Sequence, residues 1–262
     1  MRDRRALHNL IITLVLLFLF LPIIVLIVFS FNSSRTNILF TGFTFDWYLR
    51  LFENQNLLDA FKNTLIIATL STIISTVIGT ISAVGFKRFN YHFEQIVNKL
   101  IYIPIVIPEI VIGIALLSVF SLFHIELGFW TVLLAHVSFS IPFVITSVNS
   151  VLYSYPPSVE EAAADLGASD WQTFWYVTLP MIKSGIISGA ILAFTLSLDD
   201  VVISFFTAGP STNTLPLYIY SIIKTGVTPD VNALTTIMLV FTCLALLASA
   251  LISNRAKKKL KV

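Results

Sequence analysis

The chain has 262 residues, of which 56% are hydrophobic and only 11% charged, with 16 Lys and Arg against 14 Asp and Glu. A soluble domain carries about 25% charged residues, so this composition excludes an ordinary soluble enzyme and reads as a polytopic, all-α membrane protein. The net charge of +2 makes no case for a nucleic-acid partner, and the single cysteine, Cys243, permits no internal disulfide.

In chain order, six apolar stretches approach or exceed the ~20 residues a helix needs to cross a bilayer: 10–31, 63–86, 98–123, 128–152, 184–206 and 233–253. The basic start Met1-Arg2-Asp3-Arg4-Arg5 precedes the first, but no small-residue cleavage site follows before the polar "FNSSRTN" at 31–37, so it reads as a retained helix. The segment 32–62 contains an amphipathic pattern, Trp47, Leu51, Phe52, Leu58 and Phe61, with Trp47 and Tyr48 expected at headgroup level. The second stretch carries small residues every four positions, Ser71, Ser75, Gly79 and Ala83, and the fifth does the same with Gly185, Gly189, Ala193 and Ser197, faces suited to close helix packing. In the third, "IPIVIPEIVIG", Glu109 lies ten residues beyond Lys99, which at ~1.5 Å per residue places it near mid-bilayer. Pro104 and Pro108 remove backbone donors beside it. His124 and Glu126 share the next turn, but two residues make no metal site. His136, in the fourth stretch, is placed to hydrogen-bond across helices.

The fifth stretch holds "FTLSLDDVVISFF" at 194–206. A carboxylate at the centre of a membrane helix costs ~2.5–3.5 kcal/mol on insertion scales, so Asp199 and Asp200 need compensation. On a helical wheel Asp200 falls with Gly189, Ala193, Ser197 and Ser204, and Asp199 with Ser188 and Thr195, a small and polar side expected to face away from lipid. Direct cation contact, contact with another subunit, and capping of a broken half-helix by Ser197 or Asp199 are all open at this point.

Lys and Arg placement orients the chain. With the N-terminus inside, Arg2, Arg4, Arg5, Lys87, Arg88, Lys99, Lys183, Arg255, Lys257, Lys258, Lys259 and Lys261 fall on the cytoplasmic side, 12 of the 16 basic residues. Both termini are then cytoplasmic. The whole chain, 1–262, is expected to form one transmembrane domain, with 32–62 and 207–232 outside and 153–183 inside.

The inner segment includes "SVEEAAADLGASDWQTFWYVTLP" at 158–180. Ser158 and Glu161 have capping-box spacing, followed by an apolar stripe of Val159, Ala162, Ala163 and Leu166, and by Gly167 as a left-handed cap. Ser169 and Gln172 repeat the capping spacing and start a second short helix that runs to Pro180. A hairpin lying on an inner membrane surface would carry basic residues. This stretch offers Glu160, Glu161, Asp165 and Asp170 instead, which favours a protein partner.

The same stretch resembles the EAA loop of the inner-membrane permeases of ABC importers: Glu161-Ala162-Ala163, three residues, Gly167, nine residues, Val177, one residue, Leu179-Pro180. That family usually has isoleucine at the position of Val177. "FNSS" at 31–34, "LGFW" at 127–130, "LSLDDVVISFF" at 196–206, "LPLYIYS" at 215–221 and "VNALTTI" at 231–237 extend the resemblance to the spermidine/putrescine permeases. The resemblance implies a type I (MetI-like) importer permease fold in a bacterial cytoplasmic membrane. It also implies a second homologous permease, a cytoplasmic ATPase dimer coupled through Glu161, Ala162, Ala163, Leu166, Gly167, Leu179 and Pro180, and an extracytoplasmic polyamine-binding protein. The chain has no G-x-x-x-x-G-K-[ST] loop. ATP and Mg are therefore expected on the ATPase, with no cofactor in this chain.

Independently of the resemblance, Glu109, Asp199 and Asp200 have no intramembrane Lys or Arg to balance them, a pattern that attracts a cation and repels an anion. Polyamines, flexible chains with separated ammonium groups, match separated carboxylates. Another cationic or small solute is the alternative cargo. An intramembrane acid protease needs opposed carboxylates, whereas adjacent residues of one helix diverge by roughly 100°. A secondary transporter would leave the acidic, twice-capped loop without a role.

Overall fold

A computed structural model describes all residues except 1, 35–37, 89–93, 225–228 and 241–262. Helices dominate, and among the described residues the only β pairing is an isolated bridge between Asn32 and Phe43. The chain divides into two compact units, Met1–Leu58 with Ser221–Val262, and Asp59–Tyr220. Four helices are long and apolar enough to cross a membrane, or five if one bent pair counts as a single span. The expected sixth span, 233–253, lies mostly outside the described residues, as does Cys243; its described part belongs to a helix at 229–240.

In the first unit, α1 (Arg2–Phe29) carries the N-terminal apolar run. After it, the described residues of 30–54 hold one another through one β-bridge, one short helix and side-chain hydrogen bonds. Asn32 bridges to Phe43, and its side chain holds the Leu39 carbonyl (2.8 Å) and the Thr41 N–H (2.9 Å). Trp47, on α2 (Asp46–Leu51), donates its indole N–H to the Asn32 carbonyl at 2.7 Å and is buried, while the Tyr48 hydroxyl meets Ser30 Oγ at 2.7 Å. A buried indole N–H must find an acceptor, and the chain supplies one 15 residues away.

The second unit is built on α3 (Gln55–Arg88), α6 (Phe129–Leu152) and α9 (Leu179–Asp199). Ser71, Ser75, Gly79 and Ala83 are buried, as are Gly185, Gly189, Ala193 and Ser197, so both small-residue stripes are packing faces. A Cβ at Gly79 would come within 2.7 Å of Val144 Cγ1, and one at Gly189 within 3.2 Å of the Val144 Cα. Glycine thereby lets α3 and α9 approach α6 at backbone distance. Val144, Ile145, Val148, Leu152 and Ile182 fill the space between.

Two expected spans are broken. The third divides into α4 (Glu94–Val106) and α5 (Glu109–Leu122), and the 99–106 and 109–122 parts meet at 107°. Pro108 lacks the N–H that would continue α4, and its extended ψ of 135° turns the chain. A depth for Glu109 counted along a straight helix from Lys99 therefore does not hold across this bend. The fifth divides into α9 and α10 (Val202–Thr207), with Asp200 extended at φ −65°, ψ 125°. Gly113 on α5 packs against the Phe206 ring of α10. A last helix of the second unit begins with α11 (Leu215–Ile223), whose Leu215 N–H is held by Thr64 Oγ1 at 2.7 Å.

The 158–180 stretch forms α7 (Ser158–Asp165) and α8 (Asp170–Thr173). Ser158 makes no side-chain cap; Pro157 occupies that position, so the first capping box does not form. The second does: Gln172 N–H bonds Ser169 Oγ, and Ser169 N–H bonds the Gln172 side chain at 2.8 Å. Gly167 adopts φ +87°, with Ala168 N–H to the Ala163 carbonyl (3.0 Å) and Gly167 N–H to the Ala164 carbonyl (2.9 Å), a Schellman ending to α7. The second helix does not stop at Pro180. It passes through a π-helical turn, Phe174–Thr178, directly into α9. The wider turn absorbs a proline near the helix start, where its missing N–H leaves the α-ladder intact beyond it.

Candidate functional site

The break in the fifth span is stabilised by its own sequence. Asp favours caps over helix interiors because its carboxylate competes for backbone N–H groups. Asp200 acts in that way: Oδ1 accepts from the Ile203 N–H (3.1 Å) and Oδ2 from the Ser204 N–H (2.8 Å), which satisfies the open end of α10. Its side chain is only 3% exposed, and Oδ2 lies 3.3 Å from His136 Nε2. Asp199, one residue earlier, ends α9 and is exposed, on the same open face as Ser188 and Thr195. The helical-wheel reading that put both aspartates away from lipid assumed a continuous helix. The break instead sends the two carboxylates to different surroundings.

Glu109 is exposed in the first turn of α5 and lies within electrostatic range of both Asp200 and Asp199. The bend at Pro108 and the break at Asp200 thus bring together three acids that the sequence separates by 90 residues. Two of them are open and one is closed. Among the described residues no group of three or more His, Cys, Asp and Glu is arranged to hold a metal ion.

The second constellation is the α7–α8 knob. Leu166 is 90% exposed, Trp171 69% and Tyr176 80%, while Glu161, Ala162 and Gly167 are also exposed. Ala163 and Leu179 are half-buried, and Pro180 is exposed. Of the expected stripe, Ala162 and Leu166 face outward while Val159 and Ala163 are half-buried, so the apolar face is shared between the chain itself and the outside.

What fixes the knob is Glu160, which sequence reasoning counted only as one of four surface acids. Its Oε1 accepts from the Tyr155 hydroxyl (2.7 Å) and the Thr178 hydroxyl (2.8 Å), and its Oε2 lies 3.8 Å from Arg88 Nη2. Arg88 also donates to the Asp170 carbonyl (3.3 Å), and Lys87 donates to the Leu152 carbonyl (2.9 Å) while sitting 4.2 Å from the centre of the Tyr155 ring. Burial alone pushes the Glu160 carboxyl up, but the hydrogen bonds from Tyr155 and Thr178 and the Arg88 and Lys87 cations outweigh it and hold the group below its ordinary 4.5. Burial, followed by the bond to Glu160, raises the Tyr155 phenol above its ordinary 10.0. No spacing in the sequence links position 88 to 160. A cavity of about 890 Å³ opens beside this anchor, lined by Thr80, Val84, Arg88, Glu160, Trp171 and Trp175, and not beside the acids of the broken spans.

Glu160→Leu is expected to orphan two hydroxyls, at about 1–3 kcal/mol for each buried group left unsatisfied. Glu160→Gln keeps an acceptor for both and loses the attraction to Arg88 and Lys87, at about 1 kcal/mol. Thermal unfolding of the purified protein in detergent distinguishes them. A carboxyl held below 4.5 contributes its stabilisation fully above that value and loses it as pH falls through 4.5 towards the folded-state value. The gap between wild type and Glu160→Gln should accordingly be constant near neutrality and narrow below about pH 4.5.

A multi-pass helical protein with broken spans and an outward-facing knob between them is the architecture of an importer permease. The chain belongs to the family of binding-protein-dependent transport system inner membrane components, whose model matches residues 75–260. It is 42% identical to the spermidine/putrescine transport system permease protein PotC of Escherichia coli (strain K12), over 97% of this chain and 96% of that one. It is 39% identical to the putrescine transport system permease protein PotI of the same strain, over 85% and 82%. The fold matches a bacterial alginate ABC transporter solved in complex with an alginate pentasaccharide-bound periplasmic protein. There the TM-score is 0.72 at 19% identity, covering 95% of this chain and 93% of that one. The chain is thus a membrane permease subunit and not an enzyme, with the type I importer fold.

Proposed function

We propose that the chain is the permease subunit of an ATP-driven polyamine importer in a bacterial cytoplasmic membrane, with both termini cytoplasmic. It forms half of a pathway completed by a second, homologous permease. The observation that carries the substrate is the 42% identity to a spermidine/putrescine permease over nearly the whole chain. Glu109, Asp199 and Asp200, with no Lys or Arg deeper in these spans than Lys99 at the inner edge of the third, support it on physical grounds.

The exposed knob, Glu161, Ala162, Ala163, Leu166 and Gly167 with Leu179 and Pro180 at its base, docks on a cytoplasmic ATPase dimer, which binds ATP and Mg. Closure of that dimer moves the knob. Since α8, the second half of the knob, runs through a π-helical turn into α9, the movement reaches the Asp199–Asp200 break along one helix from Asp170. An extracytoplasmic binding protein delivers the polyamine to segments 32–62 and 207–232.

The test is uptake of labelled spermidine and putrescine into vesicles containing the full complex, with ATP inside and a binding protein outside. ATP-dependent accumulation of either polyamine, competed by the other and not by sulfate, is the expected result. Accumulation of a non-polyamine solute with neither polyamine competing would overturn the substrate.

A further inference from the structure

One imidazole touches both sides of the break in the fifth span. His136 projects from the middle of α6 and is 2% exposed. Its Nδ1 lies 2.7 Å from Ser197 Oγ, in the last turn of α9. Its Nε2 lies 3.0 Å from Ser204 Oγ, in the first turn of α10, and 3.3 Å from Asp200 Oδ2. From α3, Ser71 donates to Ser197 Oγ at 3.0 Å. With the proton on Nε2, donors and acceptors run in one direction: Ser71 to Ser197, Ser197 to Nδ1, and Nε2–H to Asp200 and Ser204. That tautomer is assigned from the network. Four helices, α3, α6, α9 and α10, meet at this point, and each polar group in the chain of bonds has a partner, as burial requires.

The same bonds commit Asp200. Both of its oxygens hold backbone N–H groups of α10, one also faces His136, and the side chain is closed off. A cation reaching it would have to displace the histidine and uncap the half-helix. Glu109 and Asp199 carry no such commitment and are open.

We propose that His136 is a positioning residue that sets the angle between the two halves of the broken helix. Asp200 is a fixed acceptor inside that clamp, and Glu109 and Asp199 are the carboxylates that meet the transported cation. The first two statements stand on geometry alone; the third rests on the polyamine reading.

The test uses the full complex with Cys243→Ser as background. Asp199→Cys, Glu109→Cys and Asp200→Cys are each exposed to a small methanethiosulfonate bearing an ammonium group. Asp199→Cys and Glu109→Cys should react at least about tenfold faster than Asp200→Cys, and adding His136→Ala should bring Asp200→Cys towards their rate. Equal rates with His136 intact would overturn the clamp. Because Asp200→Cys removes the cap itself, hydrogen exchange gives a second reading with Asp200 in place. His136→Ala should speed exchange of the amides at 201–206 at least about tenfold while leaving 182–192 unchanged, and His136→Gln should restore part of the protection. Exchange that is unaltered, or raised equally in both stretches, would overturn the positioning role. Spermidine should slow labelling of Asp199→Cys and Glu109→Cys; no protection at either overturns the third statement. Failure of wild-type polyamine uptake would sink the substrate reading while leaving the labelling rates and exchange pattern as they are.

Discussion

Leu166→Asp is expected to abolish ATP-driven uptake while the permease still inserts and unfolds at nearly its normal temperature. Leu166 is 90% exposed at the end of α7, so its replacement removes no internal packing. Surface changes of this kind fall within ±0.5 kcal/mol, and an acid at a helix C-terminus adds about 0.3–1 kcal/mol against it. Leu166, like Trp171 and Tyr176, is a large apolar side chain left exposed, which is costly in water and is relieved under a partner. If it is the anchor of the ATPase contact, its loss costs ~2 kcal/mol or more, which is ~30-fold in affinity. Titration of the purified ATPase against the permease complex reads this directly. Glu161→Lys, on the same exposed face, should also weaken binding, whereas Glu160→Gln, whose side chain points inward, should leave it within a fewfold of wild type. Equal binding by Leu166→Asp and wild type would remove the knob from the interface.

The parts of this fold that were legible in the sequence are those set by local rules. Long apolar runs gave α1, α3 and α6 their extent, and the four-residue spacing of Gly185, Gly189, Ala193 and Ser197 marked a packing face that the structure buries. Gly167 ended α7 with a left-handed turn, as a glycine after an alanine-rich helix should, and the Ser169–Gln172 pair capped α8. The Ser158–Glu161 pair has the same spacing yet caps nothing, because Pro157 with φ −56° already continues the helical path one residue earlier.

The misreadings have a common physical origin. Hydropathy measures how apolar a window is and says nothing about whether the backbone runs straight through it. Pro108 and Asp200 both sit in runs apolar enough to span, and both break them. The partner of the Trp47 indole N–H, the Asn32 carbonyl 15 residues away, is equally invisible to a hydropathy window. The Glu160 anchor and the His136 clamp draw on positions 88, 155, 160 and 178, and on 71, 136, 197, 200 and 204. Such sets are joined only by tertiary packing. A faint signal existed in both: Glu160 is an acid in a stretch that holds no Lys or Arg before Lys183, and His136 is a polar residue in the middle of an apolar helix. Buried polar groups of that kind ask for partners, without saying where in the chain they are.

The open pair of acids sets the second large expectation. Glu109→Gln and Asp199→Asn are each expected to lower kcat/KM for polyamine uptake by ~10–100-fold, since a charged hydrogen bond lost without replacement is worth about 1.5–3 kcal/mol. Neither side chain is packed, so protein level and ATPase docking should stay as in wild type. The loss should fall on KM first, because an exposed carboxylate holds the cation before the pathway switches. It should also depend on the cargo. Spermidine has three ammonium groups and putrescine two, so spermidine can retain contact with one remaining acid while a second ammonium finds another partner. Each single neutralisation should therefore cost putrescine more than spermidine, and Glu109→Gln with Asp199→Asn together should remove both. Asp200→Asn should behave differently, with spermidine and putrescine reduced by the same factor, because it disturbs the helix break and not a contact with either molecule. A cargo-dependent loss at Asp200 matching that at Asp199 would place all three carboxylates in the pathway, and the clamp would then have to open during each transport cycle.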